Sequence, residues 1–125
     1  MDIYPVDSLN TSKISDCIAF QSGPAIIINN KIQKDFINNS LNGKSKELRT
    51  LIAYNSENEI YLIITREHVK LEELAEFLLI TQPFTNRNIS IMNLDGGSST
   101  ALFTKNNPEF NFRENKRLPL LLGVK

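Results

Sequence analysis

Apolar residues in this chain gather in short blocks divided by polar, turn-forming stretches, and the period inside each block sets what it becomes. Leu71, Leu74, Ala75, Leu78 and Leu79 recur at i, i+3, i+4, i+7 and i+8, which predicts a helix over 71–80 with one apolar stripe. Glu72, Glu73 and Glu76 then face outward, the first two where negative charge favours a helix N-terminus, and Pro83 forbids continuation. The other apolar blocks are shorter and rich in β-branched residues, so they read as strands: 17–20, 25–28, 49–54, 60–65, 89–94, 99–104 and 120–124. Between them stand turn signals at Gly23-Pro24 and Asn29-Asn30, and a polar hairpin turn at 55–59. A helical turn fits 35–42, followed by a polar loop at 42–46. Residues 1–15 are polar and aperiodic and read as a loosely held arm, leaving 16–125 as the folded domain. The sum is an α+β domain, a mostly antiparallel sheet with at least one helix packed on one face.

Composition narrows the function classes. The 41% hydrophobic and 22% charged residues are ordinary for a soluble globular domain, and 125 residues hold one core. Fourteen basic and fourteen acidic residues cancel, so no global field draws the chain to nucleic acid or to an anionic membrane, and any phosphate recognition must be local. No apolar run approaches the roughly 20 residues that a bilayer requires. The segment Met-Asp-Ile-Tyr-Pro has no basic region leading into an apolar one, so no signal peptide is visible and the chain as given reads as cytoplasmic. Cys17 is the only cysteine, so no intrachain disulfide is available; in an apolar strand without a basic neighbour it reads as core. His68 is the only histidine and has no ligand-spaced partner, so no metal site is expected, and it reads as solvent-facing.

Candidate chemistry concentrates at 89–102. An apolar strand there delivers Asp95 into a turn built from Gly96, Gly97, Ser98, Ser99 and Thr100. The glycines permit positive φ and close backbone approach, successive amides in such a turn can converge on an anion, and the hydroxyls add short donors and acceptors. A carboxylate, exposed amides and hydroxyls at a strand end suit a phosphorylated or polyhydroxyl ligand. The plain alternative is a β-turn in which Asp95 caps its own backbone.

The same residues carry a resemblance. Asn93-Leu94-Asp95-Gly96-Gly97-Ser98-Ser99-Thr100 resembles the Leu-Asp-Gly-Gly-Gly-Ser signature of the phosphodiester glycosidase family, whose mammalian member, the uncovering enzyme, removes N-acetylglucosamine from a sugar phosphodiester. Phe20-Gln21-Ser22-Gly23-Pro24 with the strand after it resembles the family's Gln-x-Gly-Pro block, and Arg49-Thr50-Leu51-Ile52-Ala53 its Arg-Thr-x-Ile-Gly strand. Arg117 to Val124 is similar to its closing strand. Ser98, Ala53 and Asn30 stand where glycines are usual in the family, and nothing in residues 1–13 resembles its Asn-Gly-Gly-Phe-Phe-like opening segment, so the similarity is to the C-terminal portion of the family domain.

The resemblance implies hydrolysis of a sugar-1-phosphodiester bond. It implies Asp95 in acid–base or electrostatic catalysis, Arg49 neutralising phosphate charge, and Gln21, Gly96, Gly97, Ser98 and Ser99 holding phosphate or glycan oxygens. No cofactor is specified by it. Glycosidases usually use two carboxylates, and only Asp95 stands in a motif; Asp16, Glu59 and Glu67 read as surface charges. A phosphate leaving group needs little protonation, so one carboxylate with charge stabilisation is a workable site. Two other readings remain open: a truncated non-catalytic remnant that binds phosphate or glycan, and a fragment whose exposed sheet edge pairs with itself or with a chain supplying missing strands.

Overall fold

The computed structural model describes residues 21–114 and 122. The arm at 1–15, Asp16, the strand expected at 17–20 and the closing strand at 120–124 therefore lie outside the described residues, apart from exposed Leu122.

Seven strands and two helices follow in the order β1 (Ala25–Ile28), β2 (Lys31–Ile32), α1 (Lys34–Asn39), β3 (Thr50–Asn55), β4 (Ile60–Ile64), α2 (Leu71–Ile80), β5 (Ile89–Asn93), β6 (Ala101–Leu102) and β7 (Phe112–Arg113). The first five strands form one sheet in the order β2-β1-β5-β3-β4, every neighbouring pair antiparallel, and among the described residues β6 pairs only with β7. The α+β expectation holds, with β5 at the centre of the sheet. The 99–104 block departs from expectation. Only Ala101 and Leu102 are strand there, because Gly97–Ser99 winds into a single 3-10 turn first.

Local chemistry explains the main elements. Asn29 and Asn30 close the β1–β2 hairpin with φ of 48° and 64°, the left-handed pair that such a two-residue turn demands. Asn30 also accepts from the Ile89 amide through its side-chain oxygen at 2.8 Å, which ties this turn to the central strand. Buried Asn55 shapes the β3–β4 turn, its side-chain oxygen accepting from the amides of Glu57 and Glu59. Helix α2 buries Leu71, Leu74, Ala75 and Leu78, as its stripe predicts, while Glu73 and Glu76 are exposed. Those residues join Ile26, Ile27, Ile37, Leu51, Ala53, Ile89 and Ile91 in one core, with Phe84 set edge-on to Tyr61 at 5.0 Å.

This topology fixes where chemistry can sit. Ala25 pairs with Met92 and Leu51 with Asn93, so the start of β1, the start of β3 and the end of β5 meet at one end of the sheet. The Gly-Pro turn, the Arg-Thr segment and the Asp-Gly-Gly loop, distant in sequence, are neighbours there.

Candidate functional site

A cavity of about 570 Å3 opens at that end of the sheet, within the range of roughly 300–1,000 Å3 usual for small-ligand sites. Its wall takes in Ser22 to Pro24, the loop after α1, Glu47 and Arg49 ahead of β3, and the run from Asn93 to Ser99.

The loop after β5 is held by main-chain bonds to both neighbours of Arg49. The Leu94 amide donates to the Thr50 carbonyl and the Gly97 amide to the Leu48 carbonyl, each at 2.7 Å. The amides of Ser99 and Thr100 turn inward to the carbonyls of Gly96 and Gly97. That leaves the amides of Asp95, Gly96 and Ser98 with no acceptor among the described residues. The converging-amide nest expected here is thus partly consumed by the turn itself, and these three amides with the hydroxyls of Ser98 and Ser99 are what a ligand could meet. The Asp95 side chain is exposed on the cavity wall and makes no hydrogen bond or ion pair with the described residues, so it does not cap its own turn.

Both glycines are required, for different reasons. Gly97 has φ of 55°, where a side chain is strained. At Gly96 an added Cβ would stand 2.6 Å from the Leu48 carbonyl oxygen, a main-chain atom that cannot swing away. Gly96→Val is therefore expected to cost about 1–3 kcal/mol of stability, and Gly97→Ala roughly 1 kcal/mol, both read from the midpoint of urea unfolding. Unchanged midpoints would show that the loop does not approach β3 this closely.

Arg49 is a buried cation. It is 3% exposed and precedes an interior strand. Nε donates to the Val69 carbonyl at 3.1 Å, and Nη2 to those of Asn42 and Ser45 at 2.9 and 2.6 Å. Burial lowers its proton affinity from the ordinary arginine value and the nearby Glu47 carboxylate works the other way; a guanidinium remains charged through both. Nη2 is thus spent on holding the loop after α1, and Nε on the segment just ahead of α2, against the start of β3. Nη1 takes no part in these bonds, and the side chain still borders the cavity, so its charge acts there without a two-pronged clamp.

Of the residues expected from sequence, the cavity brings together Arg49, Asp95, Gly96, Gly97, Ser98 and Ser99. Gln21 is exposed one residue outside the lining, which begins at Ser22. Glu59, Glu67 and His68 are exposed elsewhere, Glu59 accepting from Asn55, Tyr61 and Arg87. Two further residues join the wall. Asn93 is buried, its amide nitrogen donating to the carbonyls of Gly23 and Leu94 while its oxygen lacks a partner. It is the last residue of β5, two before Asp95. Glu47 brings a second carboxylate, and its only sequence signal is the i, i+2 relation to Arg49. Among the described residues no group of three or more metal-ligating side chains occurs, and no helix is long and apolar enough to cross a membrane.

Comparison with known proteins gives one match. The family model described as phosphodiester glycosidase matches residues 3–125, almost the whole chain. No curated protein and no solved structure matches significantly.

Proposed function

The chain belongs to the phosphodiester glycosidase family, and we propose that the cavity at the end of β5 hydrolyses the bond between a sugar's anomeric carbon and a phosphodiester oxygen. The observation that carries this reading is the gathering of Asp95, Arg49 and the Gly96–Ser99 loop on one cavity wall from segments far apart in sequence. Cleavage at the anomeric carbon passes through an oxocarbenium-like state, and a carboxylate facing that carbon stabilises it. Asp95 takes this role. The leaving oxygen belongs to a phosphate, whose acidity makes strong protonation unnecessary. It needs instead a positive, desolvated environment, which buried Arg49 supplies through space. The Ser98 and Ser99 hydroxyls, with the unused amides of Gly96 and Ser98, hold phosphate or glycan oxygens.

The test is incubation with an aryl phosphodiester of N-acetylglucosamine 1-phosphate. Free sugar and aryl phosphate are expected in equal amounts. Binding of sugar phosphate with no turnover would make the domain a phosphate- or glycan-binding module instead.

A further inference from the structure

We propose that Glu47 is the second catalytic carboxylate of this cavity, acting as the base that deprotonates the attacking water. The proposal rests on the phosphodiester glycosidase reading above, and it supplies what the sequence motifs leave out. Glycosidases of the common type work with two carboxyl groups across the scissile bond, and Asp95 alone stands in a motif.

Glu47 lines the same cavity as Asp95 and comes from a different part of the chain, ahead of β3. Its main chain is fixed by a two-way bridge to Val69, with N···O distances of 3.2 and 2.9 Å, and it leads into buried Leu48 and Arg49. Its side chain reaches toward the catalytic loop, with Oε2 3.8 Å from the point where a Cβ on Gly97 would stand. No salt bridge holds it among the described residues, Arg49 included, although that guanidinium lies close enough to feel its charge. A half-buried carboxylate on a rigid backbone, beside the ligand loop and uncommitted to any ion pair, is placed for proton transfer rather than for support.

The step balances without a further reactant. Glu47 takes one proton from water as the water oxygen bonds to the anomeric carbon. The bond from that carbon to the phosphate oxygen breaks, and its electron pair leaves with the phosphomonoester. The proton then passes from Glu47 to solvent.

Glu47→Gln and Glu47→Ala, assayed on the aryl phosphodiester beside the unmodified chain and Asp95→Asn, test this. Expected are a fall in kcat of about 100-fold or more for Glu47→Gln with KM little changed, and partial recovery of Glu47→Ala by added formate or azide. A melting temperature close to that of the unmodified chain separates lost chemistry from lost folding. A carboxylate that only balances the Arg49 charge would, when replaced, lower the melting temperature and give no recovery with formate or azide. Near-normal kcat in Glu47→Gln, with Asp95→Asn inactive, would overturn the assignment of Glu47 and leave the glycosidase reading standing. Absence of turnover in the unmodified chain would bring down both.

Discussion

Arg49→Met is expected to be among the most destabilising single substitutions in the chain. Its side chain is 3% exposed and donates to the carbonyls of Val69, Asn42 and Ser45, three acceptors from two separate loops. Methionine fills similar volume but donates nothing, so the Ser45 carbonyl loses its partner, while those of Asn42 and Val69 are left with the Ser45 hydroxyl and the Glu47 amide. One orphaned carbonyl and two weakened ones, with the lost tie between the loops, cost on the order of 2–3 kcal/mol, part of which water entering the nearby cavity recovers, leaving a net loss of about 2 kcal/mol. For a domain of this size that is a fall in melting temperature of roughly 5–10 °C, read by circular dichroism. Arg49→Lys recovers little, since an ammonium on a flexible stem cannot reproduce a planar fork spanning three carbonyls. A methionine variant melting within about 2 °C of the unmodified chain would show that the guanidinium does not hold these loops.

Asp95→Asn is expected to act in the opposite way, removing activity while sparing the fold. The side chain is exposed and unpartnered among the described residues, so its isosteric amide breaks no contact. Turnover of the aryl phosphodiester is expected to fall by about 10²- to 10⁴-fold with an unchanged melting curve. Parallel loss of stability and activity would make Asp95 a turn-forming residue. Together the two substitutions separate the scaffold of the cavity from its chemistry.

Much of this arrangement was legible in the sequence, where the signal is local. The α2 stripe, the β-branched runs of β1 and β5, and the Asn-Asn turn each follow from residues within a few positions, and each forms as expected. The Asp95 loop was legible for the same reason, since its glycines and hydroxyls are consecutive. What stayed hidden depends on distant chain. The burial of Arg49 arises because the loop at 42–45 folds over it and Val69 comes alongside, neither of which leaves a mark near position 49. Glu47 reaches the cavity through its bridge to Val69, more than twenty residues away. The short strand β2 and the 3-10 turn at Gly97–Ser99 were missed because two or three residues carry no period.

Cleavage is expected at the carbon side of the sugar phosphodiester. Turnover in water enriched in oxygen-18, followed by the mass of the released aryl phosphate, tests it most directly. Cleavage between the anomeric carbon and oxygen leaves the bridging oxygen on the phosphate, so unlabelled aryl phosphate is expected. Aryl phosphate carrying one oxygen-18 would mean attack at phosphorus, and would contradict it.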